Sequence, residues 1–386
     1  MHYLDYAATS AIRPECVVTA VRDFLGEVGA TPGRGGHALS LEAGRTALRC
    51  RRSLSRVLGL GGDPGRIVFM LNATHALNTA LWGTLQERDA VVVTAYDHNA
   101  VLRPAHQLAR VRSVDVRMVA GAPDGSVDLD EVSRLVEGAR LLVVNHVSNV
   151  LGTRLPLEEM ACRAREAGAL VLVDAAQSAG HFPPTWAENS ADLIAFTGHK
   201  GLLGPQGIGG LWIREGLEVE PLLRGGTGGN SALRDMPPFY PDRLEAGTQN
   251  GPGMAGLCAG CDYLLERGVE SLHEQELELK RRLREGVAAI SGVTVRSPPG
   301  PDGVGIVTVT AKNLDAASLA MRLEREWGVL VRVGLHCAPE AHRLLGTLDT
   351  GAIRFSLGWA STTEDVDRAI EGLDALVSPP TVPVRS

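Results

Sequence analysis

The stretch "AFTGHKGLLGPQGIGGLWI", residues 195–213, runs from an apolar segment into Thr-Gly-His-Lys and then through a glycine-rich turn into a second apolar segment. Apolar runs of this kind stand at 66–71, 90–95, 141–148, 169–175, 192–198 and 207–213. Several are apolar at every position, which is typical of parallel strands covered on both faces. Helical patterns separate the earlier runs, so the sequence predicts an α/β fold with a large, mostly parallel sheet.

The pattern changes from about residue 254, where a long amphipathic segment leads into short strands and further helical segments. This arrangement is typical of a smaller α+β unit with helices packed on one face of its sheet. A chain of 386 residues is also too long for one small core. We therefore predict a large α/β domain over 15–253 and a small α+β domain formed by 1–14 and 254–386.

Composition and charge exclude several classes of function. The formal net charge is −7, and basic residues form no long block, so a nucleic-acid partner is not expected. No apolar run reaches the roughly 18 residues that span a bilayer, and the first residues lack the pattern of a secretion signal. Six scattered cysteines suit reduced thiols, and the pair Cys258 and Cys261 lacks the further ligands of a zinc site. The sequence thus predicts a cytoplasmic protein without a membrane segment or metal.

Polar side chains follow the predicted strands at the point where each strand ends. They are Asn72, Thr74, Asp97, His98, Asn149, Asp174, Gln177, Thr197, His199 and Lys200, with Ala73 between Asn72 and Thr74. Ligands of parallel α/β sheets bind at this edge. Taken singly, each residue has an ordinary explanation, such as a helix cap, a polar loop residue or a buried core histidine.

Taken together, these side chains fit one cofactor, pyridoxal phosphate. A lysine attaches the cofactor covalently, a carboxylate pairs with the pyridine nitrogen, and a helix N-terminus with hydroxyls holds the phosphate. The glycine-rich turn after Lys200 is not a dinucleotide-binding loop, because its glycines precede a strand instead of following one.

A series of motifs gives the sequence a family resemblance along nearly its whole length. They are "YLDYAATS", "NATHALN", "DHNAVLRP", "HVSNVLGT", "VDAAQSAGH", "FTGHKGLLGPQGIG", "LEAGTQN", "RVGLHCAP" and "IRFSLG". The sequence resembles the class V aminotransferase family of fold-type I pyridoxal-phosphate enzymes. Within that family it looks most like the SUF-type, or group II, cysteine desulfurases and the related selenocysteine lyases. The resemblance implies a seven-stranded large-domain sheet and a homodimer with shared active sites.

The resemblance also implies a role for each residue at the strand ends. Lys200 would bind the cofactor covalently, Asp174 would pair with its pyridine nitrogen, and Gln177 would bond its ring hydroxyl. His98 would stack on the ring and relay a proton. The phosphate would be bound by Ala73, Thr74, Thr197, His199 and, from a second subunit, Thr248. The substrate carboxylate would be held by Asn149, Arg332 and Arg354, with Asn149 also beside the cofactor.

The cofactor alone does not identify the reaction, because several reactions use it. Cys337 favours one of them. Its context, R-x-G-x-H-C, resembles that of the cysteine that accepts sulfur in SUF-type enzymes. A thiolate is the competent nucleophile, and charged His336 and Arg332 would favour it. The resemblance therefore implies conversion of L-cysteine to L-alanine, with a persulfide on Cys337 that passes to a sulfur-acceptor protein.

Alternatives stay open at this point. His75, Asp97 and the longer loop after Lys200 depart from the usual family pattern, which leaves the substrate preference undecided. A selenocysteine lyase or another β-eliminating pyridoxal-phosphate enzyme would use the same cofactor set. A sulfur-carrier subunit that acts mainly through a partner is a third possibility.

Overall fold

A computed structural model describes residues 1–32, 35–183, 190–229, 232–300 and 302–377. The strands are β1 (His2–Tyr3), β2 (Ile67–Met70), β3 (Ala90–Thr94), β4 (Asp115–Val119), β5 (Leu141–Asn145), β6 (Leu170–Asp174), β7 (Leu193–Thr197), β8 (Gly209–Ile213), β9 (Val293–Val295), β10 (Ile306–Ala311), β11 (Val329–Leu330), β12 (Arg332–Gly334) and β13 (Ala352–Ser356). The α-helices are α1 (Glu15–Asp23), α2 (Ala38–Leu58), α3 (Ala73–Thr84), α4 (Asn99–Arg112), α5 (Leu129–Val136), α6 (Leu157–Glu166), α7 (Gly251–Arg267), α8 (Val269–Ala288), α9 (Ala316–Trp327), α10 (Pro339–Leu344) and α11 (Thr363–Val377).

The large sheet has seven strands in the order β2-β8-β7-β6-β5-β3-β4. Neighbouring strands are parallel except for β8, which pairs antiparallel with both β2 and β7. The mostly parallel α/β sheet expected from the sequence is confirmed, and all six predicted apolar runs are strands of it. The apolar pattern missed β4, because this edge strand carries Asp115 and Arg117 and is only partly buried.

Helices cover both faces of the large sheet. On one face, Val92 and Val144 of the sheet pack with Met160 of α6. On the other, the alternating positions Val91 and Val143 pack with helices α3 and α4. Each such aliphatic side chain contributes about 1.5–3 kcal/mol to the free energy of folding when it is fully buried. Because both faces of these strands are covered, every position favours an apolar residue, and the strands appear in the sequence as continuous apolar runs.

A second, smaller sheet has the order β12-β13-β10-β9 and is antiparallel throughout. Helices α8, α9 and α11 pack on it around a core of its own. The N-terminal strand β1 pairs with β11, which brings the first residues of the chain to this lobe. Helix α7 contains residue 254, where the sequence suggests a boundary, and it packs Ala255 against Phe24 and Ala43. The predicted boundaries of the large domain, 15–253, stay a prediction.

Candidate active site

A cavity of about 290 Å³ lies where the carboxyl ends of β6 and β7 face the small lobe. It brings together most of the residues predicted from the sequence: Ala73, Thr74, His98, Asn149, Asp174, Gln177, Thr197, His199, Lys200, Arg332, Cys337 and Arg354. Thr248 does not line this cavity and is exposed on the surface of its own chain. The remaining predicted residues therefore converge on one site.

Lys200 lies on a tight turn that follows β7. Ser10, from the N-terminal segment, holds this turn through its backbone N–H to His199 O (2.8 Å) and its hydroxyl to Lys200 O (2.9 Å). Burial lowers the pKa of the Lys200 amine to about 8, and the nearby Asp174 opposes the shift. The amine is therefore available in its neutral form at a lower pH than an ordinary lysine.

Asp174 ends β6 and is buried at the floor of the cavity. Its Oδ1 accepts a hydrogen bond from the backbone N–H of Ala176 at 3.0 Å. Burial raises the pKa of this carboxyl, while the Lys200 charge lowers it. A cation placed beside Asp174 would favour the carboxylate form.

His98 caps the N-terminus of α4. Its Nδ1 accepts the backbone N–H of Ala100 at 3.0 Å, so in the neutral ring the proton is on Nε2. Burial lowers the pKa of His98 to about 4, with the Lys200 charge acting in the same direction. His98 is thus a neutral imidazole with one N–H to donate.

The start of α3 provides donors for an anion. Asn72 is its N-cap, with the side-chain oxygen accepting from His75 N at 3.0 Å, and the helix begins at Ala73. The first N–H groups of a helix have no partner within it and favour a negative charge. Nearby, the buried Thr197 Oγ1 and His199 Nδ1 also have no hydrogen-bond partner. These groups could hold a phosphate.

Arg354, on β13, brings a buried guanidinium to the cavity. It donates to Asp5 Oδ1 (2.9 Å) and to the backbone oxygen of Asn149 (3.0 Å), and its side chain is 2% exposed. Its Nε and the side-chain oxygen of Asn149 have no partner. A positioned guanidinium with a spare N–H is suited to a carboxylate.

Cys337 follows β12 and is exposed at the rim of the cavity. Its backbone oxygen accepts the N–H of Asn99 from α4 at 2.7 Å. Burial lowers the pKa of the preceding His336 to about 3. His336 is therefore neutral and does not meet the condition under which it would favour the thiolate, which leaves the guanidinium of Arg332 as the charged neighbour considered from the sequence.

Residues to which the sequence analysis gave no role complete the cavity. Ala7 and Ala8 line it, and Gln177 Nε2 donates to Ala7 O at 2.9 Å. His336, which the sequence analysis considered only for its charge, lines the cavity as well. The alanines lie within the motif "YLDYAATS", but an alanine gives no chemical signal of a binding site, because it contributes through its backbone.

No three His, Cys, Asp or Glu side chains gather as a metal site within the described ranges. In the same ranges, no helix is long and apolar enough to cross a bilayer. The pair Cys258 and Cys261 packs in the core with Cys50, where burial raises the pKa of all three thiols.

The sequence profile described as "Aminotransferase class-V" matches residues 2–369. This chain belongs to the aminotransferase class-V family. A probable cysteine desulfurase of Methanothermobacter thermautotrophicus is 34% identical over 381 residues, which are 97% of this chain and 94% of that protein. A cysteine desulfurase of Haloferax volcanii is 33% identical over 97% of this chain and 88% of its own length.

Solved structures give the same result. The apo structure of a cysteine desulfurase from Thermococcus onnurineus NA1 has a TM-score of 0.89 and 32% identity, over 97% of this chain and 94% of that one. A cysteine desulfurase from Escherichia coli has a TM-score of 0.86 at 27% identity, also over 97% of this chain. The aminotransferase class-V family uses pyridoxal phosphate, and the unpartnered donors around Thr197, His199 and α3 fit that cofactor's phosphate.

Proposed function

We propose that this chain is a pyridoxal-phosphate-dependent cysteine desulfurase that converts L-cysteine to L-alanine and carries the sulfur as a persulfide on Cys337. One observation supports this most directly. A single cavity contains an amine for the cofactor, Lys200, and an exposed thiol, Cys337, although the two are 137 positions apart in the sequence. The relatives named cysteine desulfurase cover nearly the whole chain.

The cavity residues would hold the cofactor as follows. Lys200 would bond to it, Asp174 would face its pyridine nitrogen, and Gln177 its ring hydroxyl, with His98 on the ring face. The phosphate would be bound by Ala73, Thr74, Thr197 and His199. When bound, pyridoxal phosphate supplies an electron sink for the charge that develops on the substrate Cα.

The chain's own residues would then carry out binding, proton transfer and sulfur capture. Arg354, fixed by Asp5 and assisted by Asn149, orients the substrate carboxylate. Lys200, with its pKa lowered to about 8, moves the proton at Cα close to neutral pH. The Cys337 thiolate attacks the substrate sulfur, so the new S–S bond forms as the substrate Cβ–S bond breaks. The electron pair of the broken bond stays with the substrate carbons, and Cβ takes up a proton before alanine leaves.

We place a fifth phosphate contact, Thr248, in a partner subunit of a homodimer. Its exposed position outside its own chain's cavity supports this arrangement. All six cysteines are free thiols, which suits the reducing environment of the cytoplasm.

The sulfur acceptor would be a protein that approaches the exposed Cys337. A cleft of about 320 Å³ adjoins this residue, between α4 and Pro339 at the start of α10. Its α4 wall is basic, with Arg103, His106 and Arg110 exposed, and Glu340 opposite is paired with Arg343 at 3.0 Å. These charges favour an acidic segment on the acceptor.

The test is the intact mass of the cofactor-loaded enzyme after incubation with L-cysteine, beside a Cys337→Ala control. We expect the wild type to gain one sulfur atom and the variant to gain none while it retains the bound-cofactor absorbance. A sulfur gain that persists in Cys337→Ala would contradict the role of this thiol. No gain with L-cysteine, together with selenide release from selenocysteine, would instead identify a selenocysteine lyase.

A further inference from the structure

Three buried side chains behind Cys337 form a continuous chain of hydrogen bonds. His336 Nδ1 lies 3.0 Å from His342 Nε2, and His342 Nδ1 lies 2.8 Å from Thr347 Oγ1. The three side chains are 5%, 0% and 1% exposed, respectively. The two ring centroids are 5.2 Å apart and the ring planes are inclined by 28°. Neither His342 nor Thr347 lines the active-site cavity, and the chemistry proposed above uses neither.

One arrangement of protons satisfies the whole chain. His336 Nε2 lies 3.4 Å from the backbone oxygen of Arg332, which accepts only, so the proton of this ring belongs on Nε2. His336 Nδ1 then accepts from His342 Nε2–H, and His342 Nδ1 accepts from the Thr347 hydroxyl. Both rings are neutral in this arrangement, in agreement with burial lowering the pKa of His336 to about 3 and of His342 to about 4.

The loop that carries the thiol has an unfavourable backbone. His336 and Cys337 are consecutive and neither is glycine, yet their φ angles are 49° and 58°. Each such residue costs of order 1–3 kcal/mol and persists only where the surroundings hold it. From the large domain, Asn149 Nδ2 donates to His336 O (2.6 Å) and Asn99 N donates to Cys337 O (2.7 Å).

Those two bonds hold the carbonyl groups of the loop, whereas the histidine chain holds the side chain of His336. His342 belongs to α10, and Thr347 lies in the turn that follows this helix; Ala341 and Leu345 of the same segment pack in the core of the large sheet. A buried hydrogen bond to an imidazole fixes both its tautomer and its ring orientation. The left-handed pair is therefore held both through its carbonyl groups and through the ring of His336.

We propose that His342 and Thr347 are positioning residues, which lock the ring of His336 and thereby hold Cys337 in the left-handed conformation that keeps its thiol at the cavity rim. This role depends on the proposed function in one respect, namely that the thiol of Cys337 must reach the cavity. The ring attachment acts on the loop whether or not a substrate is bound.

The first test compares Thr347→Val, which keeps the volume but removes the hydroxyl, with Thr347→Ser, which restores it. We expect Thr347→Val to lower kcat for desulfuration by about tenfold or more with less than about a twofold change in KM, because the buried His342 Nδ1 loses its donor. Thr347→Ser should retain most of the wild-type kcat. Equal losses in both variants would show that shape, not the hydrogen bond, matters, and would overturn the proposal.

A second pair of variants changes His342 itself. Gln can present an N–H close to the position of imidazole Nε2, so His342→Gln should keep the bond to His336, whereas His342→Leu should lose it. We expect kcat to fall more for Leu than for Gln, with the cofactor absorbance unchanged in both. An equal effect of the two substitutions would contradict the proposal.

Hydrogen exchange provides a readout that needs no turnover. Deuterium uptake by residues 334–338 of the cofactor-loaded enzyme, without cysteine, should rise in Thr347→Val and His342→Leu and stay at the wild-type level in Thr347→Ser. Unchanged uptake in the first two variants would overturn the positioning role. If the wild type forms no persulfide but the exchange differs as expected, the proposed reaction fails while the positioning role stands.

Discussion

The chemistry of the Lys200 amine depends strongly on its surroundings. Burial lowers its pKa from the ordinary 10.5 to about 8, in spite of the opposing charge of Asp174. Below pH about 8 the amine is mainly protonated and cannot attack a carbonyl, and above it the neutral form dominates. The site therefore does not need alkaline pH to supply a nucleophilic amine.

We predict that the apoenzyme binds added pyridoxal phosphate covalently at a rate that rises with pH and levels off above about pH 8. The measurement is the initial rate of the absorbance change at constant ionic strength. Asp174→Asn removes the charge that raises the amine's pKa, so its plateau should begin at lower pH. A wild-type rate that continues to rise beyond pH 10 would show an unshifted lysine.

Histidines near the site illustrate why residue type alone does not decide charge. His336, if charged, would favour a thiolate at Cys337, but burial lowers its pKa to about 3, as it lowers the pKa of His98 to about 4. Their ring nitrogens are instead used as acceptors, from Ala100 N and from His342. Desolvation decides whether these histidines are charged, and it depends on the packing of segments that are distant in the sequence.

At the scale of elements, two turns pack closely beneath Lys200. Gly180 has φ +85°, and a Cβ there would lie 2.4 Å from the backbone oxygen of Gly201, the residue after the lysine. The turn after β6 and the turn after β7 can therefore approach only because this position has no side chain. Gly168 is a matched comparison, since its φ is +76° and nothing lies within 4 Å of its would-be Cβ.

We predict different outcomes for alanine at these two glycines. Gly168→Ala should cost about 1 kcal/mol in the free energy of unfolding, through the left-handed backbone alone. Gly180→Ala should cost about 3 kcal/mol, since the backbone of Gly201 must also move, and should weaken cofactor binding. Denaturant unfolding and cofactor titration measure the two effects. Equal costs, with unchanged cofactor affinity, would refute the close-packing argument.

In the whole molecule, Lys200 follows a strand of the large sheet and Cys337 follows a strand of the small sheet, so contacts between the two sheets' lobes set their separation. Val304 N donates to Gly152 O at 2.9 Å and Thr308 Oγ1 donates to Val150 O at 2.5 Å, next to Asn149. Arg354 extends from the small-lobe sheet to the Asn149 backbone. The site is thus a product of the docked lobes.

A shared active site predicts a specific result when inactive and weakened chains are mixed. Thr248→Val should weaken cofactor binding about tenfold, through loss of one hydrogen bond to a charged group. In a mixed dimer with Lys200→Ala, the intact Lys200 site receives a wild-type Thr248 and should regain full affinity. We would titrate cofactor against dimers re-formed from both variants. Affinity that stays at the Thr248→Val level would contradict a contribution from the partner subunit.

The basic wall of the cleft beside Cys337 predicts an effect on sulfur transfer alone. Arg103→Glu/Arg110→Glu should slow transfer from the Cys337 persulfide to an acidic acceptor about tenfold or more, and less so at high salt. Persulfide formation from L-cysteine should stay within about twofold of the wild type. The control is Lys312→Glu/Arg325→Glu, which makes the same charge change at exposed positions of the small lobe. Equal slowing in both would point to net charge instead of a docking surface.

The sequence by itself determined the sheet and the floor of the site. Continuous apolar runs identify parallel strands covered on two faces, and parallel strands bring their carboxyl ends to one edge, so Asp174 and Lys200 were predictable neighbours. The seventh strand, β4, escaped the pattern, because an edge strand is covered incompletely and keeps charged residues.

Only the tertiary structure decided the state of the Cys337 loop. Two left-handed residues, the carbonyl contacts from Asn99 and Asn149, and the chain from His336 to Thr347 have no periodicity that a sequence pattern can show. The periodicity of apolar residues indicates which side of a helix or strand is buried, and it depends only on residues close together in the sequence. Hydrogen bonds between lobes, and the burial that neutralises a histidine, depend on the path of the whole chain.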